Sequence, residues 1–190
     1  MDDKFKKPKR GNYIKMSKEE LLKRLEEEFE KLRKEYGFKA TLDELDEIFF
    51  IRDYIQREGF ISKKLSRQIC SRITSTYTSW FSLLHELLIP NPHNWVRMSE
   101  ANLFNDEEKK KITHALKIVT EISARNTLIG LKKNKEEEAR FIDEALETWH
   151  NELKPILIWI IEKIDNYWKN EIKNKEVEKW SKNLVQAREK

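Results

Sequence analysis

The chain has 190 residues, and its 38 basic and 34 acidic side chains leave a net charge of +4. That excess sits in residues 1–16, where Lys4, Lys6, Lys7, Lys9, Arg10 and Lys15 outweigh Asp2 and Asp3; the other 174 residues sum to zero. Four Gly and four Pro exclude a turn-rich all-β chain, while six Trp and nine Phe exclude global disorder.

A chain of this size buries about 70% of its unfolded surface, enough for a real core despite 38% charged residues. Cys70 is the single cysteine, so an intramolecular disulfide and a thiolate metal cluster are both excluded, and a reducing compartment is expected. The N-terminal stretch has charges but no apolar segment of signal-peptide type, and the longest strongly apolar run, residues 155–161, is far too short to span a membrane. A cytoplasmic location is expected. Abundant Lys, Glu and Ile with three Gln lean toward a thermophile, and twelve Asn lean away.

Residues 1–16 have a basic run, Pro8, Gly11 and no helical period, and are read as a flexible arm ahead of one bundle domain, 17–190. The first helix starts at Ser17, with Glu20 completing a capping box, and ends at Gly37; Leu21, Leu25, Phe29, Leu32 and Tyr36 form its apolar stripe. A second helix is expected from Thr41, capped with Glu44, to Gly59, with Leu42, Leu45, Ile48, Phe49 and Ile55 inward and Phe50 and Ile51 widening that face. The third is expected to run unbroken from Ser62 to just before Pro90, about 39 Å at 1.5 Å per residue. Its wide apolar arc, including Phe81, marks it as central. Residues 89–105 are expected to be irregular, with Trp95 plugging the bundle end.

Asn105 and Glu108 cap a fourth helix, and Asn134 and Glu137 a fifth. Ile142, Leu146, Trp149, Leu153, Ile156, Ile160 and Ile164 keep one phase through Pro155, which predicts a kinked continuous helix. A last stretch carries Val177, Trp180 and Leu184 at helical spacing. No alternating strand pattern is present, so the expected fold is an all-α bundle of five or six helices with a long central helix and a long kinked C-terminal one.

Three functional readings follow. The first is a non-enzymatic protein–protein interaction or assembly module. Residues 156–161 are apolar on every side, so Ile158, Trp159 and Ile161, with Trp180 further on, are candidates for a contact surface. The partner is then a protein or a second copy.

The second reading is nucleic-acid binding. Residues 52–73, with Gly59 in the turn and Leu65 beyond it, resemble a helix-turn-helix unit, although Ile55 stands where that motif normally has a small residue. The resemblance implies a reading face built from Lys64, Arg67, Ser71 and Thr74. Separately, the basic run with Lys6, Lys7, Lys9 and Arg10 is suited to tracking phosphates.

The third is a metal-dependent hydrolase. His85, His114 and His150 lie on three helices, an arrangement that resembles DinB-like bundles; Glu147 and His150 have the spacing of ferritin-like sites, but a second such pair is missing. Arg125 and Asn126 resemble the start of the HEPN ribonuclease motif, but Gly130 stands near the place of its histidine, so the general base is missing. No Gly-rich phosphate loop or nucleophile elbow is present, and no cofactor is expected.

Overall fold

The computed structural model describes residues 17–173. They form an all-α bundle of six helical units, two of which are broken into pairs and one of which passes through a π-helical turn.

Helix α1 (Lys18–Tyr36) begins at the expected capping box: Ser17 Oγ accepts the Glu20 N–H at 3.1 Å, and the Glu20 carboxylate accepts the Ser17 N–H at 2.9 Å. It ends at Gly37, whose φ of +69° only glycine adopts without strain. The Asp143 carboxylate then takes the Lys39 N–H at 2.9 Å and the Ala40 N–H at 2.8 Å, pinning the following turn to a helix a hundred residues away.

The expected helix 41–59 is two helices, α2 (Leu42–Phe49) and α3 (Ile51–Glu58), separated by Phe50 at φ +52°. In an unbroken helix residues 49 and 51 diverge by about 200°. The break lets Phe49 and Ile51 both reach zero exposure and turns Phe50 out to 53%, so Phe50 does not widen the inner face. Asp46 secures the new start by accepting the Arg52 N–H at 2.7 Å while its other oxygen holds the Arg52 guanidinium at 3.2 Å.

The expected helix 62–89 is also two, α4 (Leu65–Thr78) and α5 (Phe81–Leu88). Ser62 does not cap it; its N–H donates to the buried Gln68 side chain at 2.9 Å. Toward the break, Thr74, Thr76 and Thr78 bond back to the carbonyls of Cys70, Arg72 and Thr74, and Ser79 Oγ to that of Thr76. Such back-bonding competes with the helical ladder and bends it. Leu84 and Leu87 are then fully buried, and Phe81 is 42% exposed rather than inward.

The segment expected to be irregular holds α6 (Trp95–Ala101), started by Asn94 Oδ1 accepting the Arg97 N–H at 3.2 Å. Trp95 does not plug the core: it is exposed and meets Trp168 edge-on at 5.9 Å. The buried carboxylate of Glu100 ties this end together, taking Arg97 at 2.6 Å and the Trp168 indole N–H at 3.0 Å.

Helix α7 (Asp106–Lys132) starts at the expected Asn105–Glu108 capping box. Helix α8 (Lys135–Thr148) starts at Asn134, which accepts two backbone N–H groups. A π-helical turn, Trp149–Leu153, joins α8 to α9 (Lys154–Lys173). Pro155 has no N–H, and its ring collides with the carbonyl four residues back. The wider π turn accommodates both, so the helix runs on through Pro155 with its apolar phase kept, as the sequence pattern predicts.

Helix α4 is the middle of the bundle, packed on α7 and α8 as well as on α1, α2, α3 and α5. The core runs from Leu25, Phe29 and Leu45 through Ile69, Ile73 and Tyr77 to Ile112, Val119, Phe141 and Ile160. Among the described residues no helix is long and apolar enough to cross a membrane.

Candidate functional site

The apolar stretch on α9 divides into two faces. Leu157 and Ile160 are buried, whereas Ile158 and Ile161 stand 47% and 41% exposed. With Leu157, Trp80 at the α4–α5 break and Trp149 in the π turn, they line a groove of about 280 Å³. Lys154 and Glu162 also line it and have no ion pair among the described residues. The same turn that accommodates Pro155 therefore sets Trp149 beside α9 and shapes one wall. Trp159, expected on the contact surface, is instead partly buried against the core. It faces the core side, edge-on to Phe104 at 5.5 Å with the Lys111 ammonium 5.3 Å above its ring. Trp180 lies outside the described residues, as do Lys6, Lys7, Lys9, Arg10 and the rest of the expected arm.

The proposed reading helix fares differently. Lys64 and Ser71 are exposed, but Thr74 spends its hydroxyl on the Cys70 carbonyl at 2.9 Å. Arg67 does not face outward: its guanidinium bonds the Asn126 carbonyl at 3.3 Å and lies 3.9 Å from the Glu138 carboxylate. It also covers Gly130, where an added Cβ would come within 3.0 Å of it. A helix that lies in a DNA groove needs a free face along the reading residues; α4 is instead covered by α7 on one side and α8 on the other.

The histidines do not converge. His85 stacks on Phe81 at 5.9 Å, His114 faces Glu152 at 3.5 Å, and His150 lies in a separate hollow with Glu44, Asp143 and Glu147. No group of three or more His, Cys, Asp or Glu among the described residues could hold a metal ion. Arg125 is ion-paired with Glu144 across α7 and α8, and the buried Asn126 Oδ1 has no hydrogen-bond partner among the described residues.

Sequence reasoning missed a buried polar cluster between α4 and α8. Glu138 is 2% and Ser66 1% exposed. Ser66 Oγ–H donates to one Glu138 oxygen, Lys135 Nζ donates to Ser66 Oγ at 3.1 Å, and Arg67 approaches the other Glu138 oxygen. Glu138 is one of three acids in the first turn of α8, an ordinary place for one, and only its position on the same helical face as Ile142 and Ala145 signals burial.

Cys70 lies against this cluster, its thiol 3.7 Å from the Glu138 carbonyl. Burial pushes that thiol from its ordinary 9.0 up to about 12. Below pH 9 the folded and unfolded chains both hold the proton, and nothing is lost. Above it the unfolded chain releases the proton while the folded chain keeps it, so stability falls as pH rises from 9 toward 12. Urea midpoints should therefore decline through that window, and more shallowly for Cys70→Ala. Equal slopes for the two proteins would contradict this.

No protein family, no curated protein and no solved structure matches the chain.

Proposed function

We propose that the protein is a binding and assembly module that joins a second copy of itself through the α9 groove. The observation that supports this most is the stripe Lys154, Ile158, Ile161 and Glu162. Exposed isoleucines form its middle, and unpaired opposite charges stand at its ends.

The spacing favours a like partner. Lys154 and Glu162 are each four residues from Ile158, so they lie on its side of the helix. Two antiparallel α9 helices related by a two-fold axis at Ile158 would bring Lys154 of each against Glu162 of the other. Ile158 would then meet its own counterpart, with Ile161 flanking it. This is the self-complementary geometry that a two-fold dimer requires. Trp80 and Trp149 supply aromatic walls of the kind enriched where interfaces bind strongly. The cytoplasm suits such a module, since its one thiol, Cys70, is buried and needs no oxidising environment.

Light scattering coupled to size exclusion tests the reading. The protein should run as a dimer, and Ile158→Glu should make it a folded monomer whose melting temperature falls only by the lost association and no longer depends on protein concentration, because Ile158, 47% exposed, contributes little to the core. An Ile158→Glu protein that keeps the oligomeric state of the parent would remove the groove from the interface.

A further inference from the structure

A second surface lies beside the first turn of α1. Lys18, Phe50, Asp53, Gln56, Arg57 and Arg72 line an open pocket of about 430 Å³. Three cations face one carboxylate there. Among the described residues neither Lys18 nor Arg57 is ion-paired, and Arg72 forms no salt bridge either. Arg72 is held in place by its Nε–H bond to the Phe49 carbonyl at 2.6 Å and by the Tyr54 ring 5.8 Å below its guanidinium. Burial and, after it, the neighbouring Arg57 draw the Arg72 pKa below its ordinary value, outweighing the opposite pull of Tyr54 and Asp53.

Phe50 is the unusual member. It is a bulky residue held at φ +52°, a conformation that disfavours large side chains, and 53% of it faces solvent. The Arg72 bond fixes the carbonyl immediately before it. An aromatic ring is thus presented on a braced turn beside three cations, in a pocket of the size that ordinarily takes a small ligand. Rings flanked by cations suit ligands that alternate flat bases with phosphates. The covalent neighbour of this pocket matters too. Met16 and Ser17 lead directly to Lys18, and residues 4–15 add six cations with Phe5 and Tyr13 among them. One isolated nucleotide has no use for that further charge; a strand does.

We propose that this pocket binds single-stranded nucleic acid, with a base stacked on Phe50 and the adjoining phosphates on Lys18, Arg57 and Arg72. It differs from the face that the helix-turn-helix resemblance implies, and it does not depend on the α9 groove. The test is fluorescence anisotropy with the full-length chain. The probes are a labelled oligothymidylate, an oligouridylate, a duplex of equal length and thymidine monophosphate, each over a salt series.

Single strands should bind more tightly than the duplex or the mononucleotide, with a log–log salt slope of about −2 from the three pocket cations and steeper with the arm. Arg57→Glu should make the slope shallower by about 0.7 or more. Replacing Lys6, Lys7, Lys9 and Arg10 by Gln should remove the additional steepness. Phe50→Gly should weaken binding about 5-fold or more while melting no lower than the parent, because glycine relieves the positive φ. If Phe50→Gly does melt lower, Phe50→Tyr should keep the affinity and Phe50→Leu lose it. Absence of salt-sensitive binding, binding unmoved by these substitutions, or a duplex or mononucleotide bound as tightly as the strand would each overturn the proposal.

Discussion

Replacing Glu138 by Ala should lower the stability of the bundle by about 3 kcal/mol. The carboxylate is 2% exposed and, among the described residues, is the acid that the Ser66 hydroxyl, the Lys135 ammonium and the Arg67 guanidinium share. Its removal leaves a cavity between α4 and α8 and two cations without their anion. Water reaches part of Arg67 and Lys135, at 23% and 38% exposure, and screens them, which keeps the loss near the lower end for a broken buried pair. Glu138→Gln should lose less, because the amide oxygen still accepts from Ser66. Ser66→Ala should lose about 1 kcal/mol, the worth of one hydrogen bond. Urea unfolding followed by circular dichroism ranks the three. A Glu138→Ala loss below that of Ser66→Ala would show that the cluster adds nothing beyond its hydroxyl bond.

Tyr77→Ala should be as damaging or worse, with a loss of about 3–5 kcal/mol. Tyr77 has zero exposure and joins three parts of the fold. Its ring stacks on Phe49 of α2 at 6.3 Å and meets Trp149 of the π turn edge-on at 5.5 Å. Phe49 and Trp149 also touch each other at 6.0 Å, so the three rings close a triangle beside the wall of the groove. The phenol donates to the Ala145 carbonyl at 2.5 Å. That carbonyl also accepts the Trp149 N–H, so Tyr77→Phe leaves it satisfied and should lose only about 1 kcal/mol. Burial, with a smaller contribution from Glu152, raises the Tyr77 pKa above its ordinary value. The sign is the same as for Cys70, and the Tyr77→Phe protein should lose less stability at high pH than its parent. A Tyr77→Phe protein as unstable as Tyr77→Ala would contradict the assignment of the loss to packing.

Helix starts were legible because a cap is local. Ser17 with Glu20, Thr41 with Glu44 and Asn105 with Glu108 each satisfy backbone donors within one turn, whatever lies across the bundle. Gly37 and Gly59 marked stops for the same reason. The breaks were not legible. Phe50 takes a left-handed conformation only because Phe49 and Ile51 are both worth burying, and that balance belongs to the packed core. The α4–α5 break follows a run of Thr and Ser whose hydroxyls bond back to the helix carbonyls, and one of them, Thr74, belongs to the expected reading face. Helix α6 hid behind two prolines although Asn94 signalled its start. Pro155 went the other way: unbroken apolar phase on both sides implied continuity, and the π turn supplies it.

The surfaces were legible in part. An all-round apolar stretch must present something outward, and Ile158 and Ile161 are that part. Which side Trp159 took could not be read, since every side of that turn is apolar. Arg67 was misplaced because a wheel drawn on one helix measures outwardness against that helix alone. The flanks of α4 are covered by α7 and α8, and Arg67 lies under them. The pocket around Phe50 was hidden by the same break that exposes the ring.

The most direct test of the assembly reading is the solution mass of a charge-swap series at Lys154 and Glu162. The parent should have twice the 23.0 kDa of one chain. Lys154→Glu and Glu162→Lys should each shift the equilibrium toward the monomer, since each sets like charges against one another. The double variant, with the pair reversed, should dimerise again. A parent that remains at 23.0 kDa throughout a concentration series, or a double variant no better associated than either single one, would contradict self-assembly through α9.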